Sequence, residues 1–167
     1  MCTVVPPARF RHRMLRLGSC RSAHPGESIV SEHRQQHQHP IDASSLDAFL
    51  RSYVAAFNAC DGAAIARHYH LPSLSLRGDG LLSLLTDAGE AQAFFGTMAR
   101  SYRDQGAADW QWQVEQVTPI GRECALATVH WSMLRADATV LRDWRHSYNL
   151  LARDGALRIL LATFNAA

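Results

Sequence analysis

Two residues far apart in this chain, a histidine and a tyrosine, have the side chains best suited to chemistry. His146 lies between Trp144 and Tyr148 at every second position, so all three share one side of an extended segment. An imidazole titrates near neutrality unless desolvation lowers its pKa, which suits a general acid or base. Tyr53 lies in an apolar stripe, where a hydroxyl aimed into a pocket would polarise a carbonyl. Both residues also have a purely structural use. The histidine would satisfy a buried hydrogen bond in an aromatic wall, and the tyrosine would pack with its hydroxyl at the edge. Phe57, Phe95, Trp131, Trp144 and Tyr148 are the expected lining of a ligand pocket around the pair.

The other polar candidates read as structural. His68 and His70 flank Tyr69 and cannot share a helix face, so they make no metal pair and are expected to be exposed or capping. Asp79 sits in Gly78-Asp79-Gly80, a hairpin turn. His130 falls on the mixed face of its strand, where a structural or interface role is expected. No His, Asp or Glu cluster has metal-site spacing, and no glycine-rich phosphate loop occurs. No metal or cofactor is therefore expected. Cys2, Cys20, Cys60 and Cys124 lack the close spacing of zinc or redox motifs. Cys60 and Cys124 read as buried thiols, which suits a reducing, cytoplasmic compartment.

The chain of 167 residues fits one domain with a sizeable core. Its formal net charge of +2 is too near zero to argue for nucleic-acid binding. All of its basic side chains other than histidine are arginine, consistent with a base-composition bias in the coding sequence. No apolar run approaches the roughly 20 residues that a membrane-spanning helix needs.

Residues 1–40 differ from the rest. Arg9, Arg11, Arg13, Arg16 and Arg21 precede the first acidic residue, Glu27, and a His/Gln tract runs from His33 to His39. Pro6, Pro7, Pro25 and Pro40 interrupt any helix. This extension is expected to be disordered. It reads as a solvated tail or over-long start, a transit peptide, or a metal- or nucleic-acid-binding arm.

The elements that must position the candidate residues occupy 41–167. A helix is predicted from Ser44, with Ser44-Ser45-Leu46-Asp47 as its capping box and Leu46, Phe49, Leu50, Tyr53, Val54 and Phe57 as its apolar stripe. A short helix over 63–69, stopped by Pro72, should follow. Two short strands flank the Gly-Asp-Gly turn, over 73–77 and 81–85. A third helix opens at Asp87, capped through Glu90 and burying Ala91, Phe94, Phe95, Met98 and Tyr102. From Asp109 the period becomes two. Strands follow through Trp110, Trp112 and Val114, then over 124–134, and then as a hairpin about Arg153-Asp154-Gly155. Ala125, Ala127, Val129, Trp131 and Met133 should face the helices. In the last strand Leu157, Ile159, Leu161 and Thr163 should alternate strictly with Arg158, Leu160, Ala162 and Phe164. The fold class is α+β, with three N-terminal helices packed on a strongly curved antiparallel sheet.

Several stretches carry a resemblance. They are the helix with Tyr53, Asp61-Gly62-Ala63-Ala64-Ile65 leading to Tyr69, Pro119-Ile120-Gly121 before Ala125-Leu126-Ala127, and Tyr148-Asn149-Leu150-Leu151 before Asp154-Gly155. Over residues 44–165 the chain resembles the nuclear transport factor 2-like (NTF2-like) superfamily, with its cystatin-like cone. The nearest subgroup is the SnoaL-like and ketosteroid-isomerase-like small proteins. The resemblance implies an apolar cavity open at one end and a homodimer packed through the sheet's outer face. It implies either binding of a small apolar ligand or cyclase, isomerase or dehydratase chemistry. In the isomerase, a tyrosine and a protonated aspartate form an oxyanion hole and a second aspartate is the base. Tyr53 matches the tyrosine, and His146 occupies the oxyanion aspartate's place. The base position falls near Leu76 or Arg77, neither of which is a base.

Overall fold

The computed structural model describes residues 41–165. The extension over 1–40 lies outside the described residues. The first helix, α1, runs Ala43–Asn58. Its cap is Asp42, not Ser44. Asp42 accepts from the Ser45 N–H at 2.8 Å, and Ser45 Oγ accepts from the Asp42 N–H at 3.0 Å. The reciprocal bonding of a capping box is thus present two residues earlier than predicted. Asp47 turns away to Arg51 and to the Trp112 indole.

The second helix, α2, spans only Gly62–Ala66, with Asp61 as its cap. Tyr69 opens a strand, β1 (Tyr69–Leu76), rather than closing the helix. Tertiary packing decides this. Tyr69 pairs with Ile159 across the sheet and stacks on Phe95, ring centroids 4.3 Å apart. Pro72 lies inside β1, where the ladder is interrupted between Tyr69 and Leu74, so its missing N–H breaks no rung. The remaining elements are β2 (Leu82–Leu85), α3 (Ala88–Asp104), β3 (Asp109–Ile120), β4 (Cys124–Leu134), β5 (Val140–Arg153) and β6 (Ala156–Asn165). α3 is capped as predicted: Asp87 accepts from the Glu90 N–H at 2.9 Å, and Glu90 accepts from Thr86. Ala91 and Phe95 of its predicted stripe are buried, while Phe94, Met98 and Tyr102 are half-buried.

The sheet has six strands in the order β2-β1-β6-β5-β4-β3. It is mixed, not purely antiparallel, because β1 runs parallel to β6. Tight turns identify sequential antiparallel neighbours only. The β1–β6 pairing joins segments at opposite ends of the domain, and no local pattern announces it. The β5–β6 turn is as the sequence predicts, with both Asp154 and Gly155 at positive φ.

On β4 the face predicted to meet the helices does so: Ala125, Ala127, Val129, Trp131 and Met133 are all buried. Leu126 and His130 lie on the opposite face. On β6 the strict alternation fails. Asn149 faces Leu161 while Leu150 faces Ile159, so Leu160 is an extra residue and the strand changes phase. Ile159 is buried before this bulge and Ala162 after it. Similar irregularities interrupt β3/β4 and β4/β5. Such bulges bend strands, and the bent sheet wraps a cavity beneath the helices.

Candidate functional site

Strand β5 builds the site's wall. Its inward positions, two residues apart, are Arg142, Trp144, His146 and Tyr148. The series descends from an exposed arginine to a tyrosine only 2% exposed. Trp131 of β4 and Phe164 of β6 flank it, the latter brought inward by the β6 bulge. Tyr53 and Phe57 of α1, Tyr69 of β1 and Phe95 of α3 close the other side. Together they enclose about 910 Å³. Exposed Arg77, Asp79, Leu81 and Arg142 stand at its mouth.

All seven residues singled out in the sequence line this space: Tyr53, Phe57, Phe95, Trp131, Trp144, His146 and Tyr148. Tyr53 and His146 are not bonded to each other. Tyr53 Oη lies 2.8 Å from Tyr69 Oη. His146 Nδ1 lies 2.9 Å from Tyr148 Oη, which lies 3.1 Å from Trp131 Nε1. An indole N–H only donates, so the Tyr148 oxygen accepts from Trp131. The Tyr148 proton is then free to go to His146 Nδ1. In that arrangement the neutral ring carries its hydrogen on Nε2; with the hydrogen on Nδ1 the ring would instead donate to the Tyr148 oxygen, which has room for a second donor.

Electrostatics agree. Burial, with help from the Arg142 charge, lowers the His146 pKa to about 4. The ring is therefore neutral at physiological pH and a weak base. Burial also raises the phenols of Tyr53 and Tyr148 well above their usual value, so both remain hydrogen-bonding hydroxyls. Asp79 is the cavity's only lining carboxylate among the described residues. It ion-pairs with Arg77 at 2.8 Å and accepts from the Leu81 N–H. It thus keeps the turn role predicted for it while standing at the mouth.

Outside the cavity, His68 bonds Ser52 Oγ at 2.8 Å and the Ala64 carbonyl at 2.9 Å, securing the end of α2 against α1. His130 pairs with Asp143 at 2.9 Å on the sheet's outer face. Cys60 and Cys124 are free and half-buried, rather than buried. No His, Cys, Asp and Glu group of metal-binding form occurs among the described residues. No helix among them is long and apolar enough to cross a membrane.

Sequence reasoning missed Arg142, Tyr69, Tyr102 and Phe164 as lining residues. Arg142 was within reach, because one more step of the alternation through Trp144 finds it. Phe164 was not, because its phase depends on the bulge. Tyr69 was hidden by the expectation of a longer helix.

Residues 43–166 match the model of a family described as NTF2-like protein (DUF6841). The chain belongs to this NTF2-like family. Solved structures agree on the fold. One is a domain of unknown function with a cystatin-like fold from Nostoc punctiforme, 21% identical, with TM-score 0.60 over 75% of this chain and 77% of that one. Another is an NTF-2 like protein of unknown function from Shewanella oneidensis, 12% identical, with TM-score 0.59 over 75% and 100%. A third is a ketosteroid isomerase-like protein from Erwinia carotovora atroseptica, 12% identical, with TM-score 0.54 over 73% and 93%. At these identities the likeness is one of fold. No curated protein matches the chain in sequence. The NTF2-like cone accounts for the bent sheet and the helices across it.

Proposed function

We propose that this NTF2-like protein binds a small apolar or aromatic molecule in its cavity. One observation carries the reading. A space of about 910 Å³ is walled by aromatic side chains, with the charged side chains of Arg77, Asp79 and Arg142 at its exposed edge. Ligand sites usually run to about 300–1,000 Å³ and combine an apolar lining with a few placed polar groups. Here those groups are the His146 imidazole and the Tyr53 and Tyr148 hydroxyls. The test is thermal unfolding of the purified chain against a panel of neutral polycyclic compounds. Stabilisation by at least one of them is expected, with loss in Met98→Trp, which would fill the space from α3. A panel without any stabilisation would count against the reading.

The second reading is a cyclase-, isomerase- or dehydratase-like enzyme using His146 and Tyr53. The hydrogen-bonded series Trp131–Tyr148–His146 favours it, because it orients the imidazole in the cavity wall, where an Nε2–H would polarise a carbonyl oxygen. Against it stands the lack of a strong base among the described lining residues: Asp79 is paired, and a pKa lowered to about 4 makes His146 a weak one. Full turnover by His146→Ala on any substrate found would end this assignment.

A homodimer through the outer face of the sheet accompanies either reading, supported by the exposed Leu126 there. A third reading is an assembly domain that needs no ligand. The free thiols of Cys60 and Cys124 suit the cytoplasm.

A further inference from the structure

We infer that the molecule this cavity takes is amphipathic, with an apolar ring body and an anionic head such as a carboxylate, seated with the head at Arg142. The inference rests on the ligand-binding reading above and specifies the class of ligand.

The charge around the cavity is unbalanced. Its lining holds Arg77, Arg142 and Asp79. Asp79 is taken by Arg77. Arg142 has no carboxylate partner among the described residues. Its guanidinium instead lies over two rings of the wall, 5.0 Å from the Phe164 centroid and 5.7 Å from that of Trp144. This stacking holds the cation at the mouth, directly above the apolar interior.

The field of Arg142 reaches inward from there. It depresses the basicity of His146, and it opposes the effect of burial on the Tyr102 phenol across the cavity. Two elements, β5 and α3, thus feel the same positive potential. A cleft with low-dielectric walls focuses such a field and raises the local concentration of anions.

The hydrogen-bonding groups are matched to an acceptor. His146 leaves its Nε2 to the ligand, because its Nδ1 is occupied by Tyr148, and Nε2 donates in the tautomer in which Tyr148 gives its proton to Nδ1. Trp144 Nε1–H is buried with no acceptor among the described residues. Arg142 offers a planar fork of donors, the geometry that suits a carboxylate. A cationic ligand would find the one lining carboxylate already paired and would be repelled by Arg77 and Arg142 at the mouth, with Arg142 already on the Phe164 and Trp144 rings. A neutral polycycle would use the rings and leave the arginine idle.

Two probes with one ring skeleton separate these cases: 1-anilinonaphthalene-8-sulfonate and its neutral parent, N-phenyl-1-naphthylamine. Both are titrated fluorometrically into the full chain at pH 7 and low salt. The anionic probe is expected to bind about tenfold tighter, the scale of one charge-assisted contact. Arg142→Met keeps the stem over Phe164 and removes the charge. It should erase that preference and leave the neutral probe within about twofold. Arg142→Lys should retain part of it. Equal binding of both probes, unchanged by Arg142→Met, would overturn the anionic head while leaving the cavity reading intact. Binding of neither probe, or binding of both that Met98→Trp does not reduce, would defeat the cavity reading and this inference with it.

Discussion

His146 makes its environment measurable. The folded protein keeps the ring neutral down to about pH 4, whereas an unhindered histidine protonates near 6.5. Between those values the unfolded chain binds more protons, so stability falls as pH drops through the window. The loss from this residue should reach up to about 3 kcal/mol. Facing groups do not reverse the sign: Arg142 on its own strand opposes protonation, Tyr148 bonds Nδ1 as a neutral hydroxyl, and Phe164 from β6 is apolar. Urea unfolding at pH 7 and pH 4.5 should show the fall in the native chain and a smaller one in His146→Phe. A remainder is expected from His68, whose pKa burial also lowers. Tyr148→Phe is a separate test. It leaves the buried Trp131 N–H without its acceptor and should cost about 1–3 kcal/mol in the same assay. Residue types made this site visible, since an aromatic wall with one imidazole stands out by alternation alone. What residue types could not provide was protonation. Trp144, His146 and Tyr148 are adjacent in the pattern whatever surrounds the ring, and it is burial in the assembled wall that lowers its basicity.

At the scale of elements, α2 and α3 touch backbone to backbone where Gly62 meets Gln92 and Gly96. A Cβ on Gly62 would lie 2.3 Å from the Gln92 carbonyl oxygen and 2.8 Å from the Gly96 nitrogen, both rigid backbone. Gly62→Ala is therefore expected to destabilise by about 2–3 kcal/mol, read from denaturant midpoints. Gly96→Ala should be milder. The nearest obstacle to its Cβ is the end of the Arg100 side chain at 3.3 Å, which can swing away. Helix and strand identities were largely legible, because 3.6-fold and twofold periods are local properties of the chain. The exceptions share one cause. The length of α2, the phase of β6 after Leu160 and the parallel partner of β1 are all decided by residues distant in sequence. Phe95 captures Tyr69, and Ile159 pairs with it. Nothing within a window of ten residues around Tyr69 contains either.

For the whole molecule, the outer face of the sheet is the surface the proposed dimer would bury. It is neither wholly polar nor wholly apolar: Leu126 is 44% exposed, among ion pairs such as Arg145 with Glu115. Sedimentation of the native chain should give a dimer. Leu126→Arg should shift it towards the monomer while leaving probe binding in the cavity unchanged, since the two faces of the sheet are distinct. A native monomer would remove the dimer from the account.

The order of strands also dictates a schedule. β6 is last among the strands in the chain and third across the sheet, between β1 and β5. Until it is synthesised, the β1–β2 hairpin and the β3–β4–β5 meander have no hydrogen bonds joining them. A ribosome making this protein therefore carries two unsealed fragments until its final strand is free to insert. A released chain that stops before Ala156 should be open to protease, and one that runs on through Asn165 should be closed.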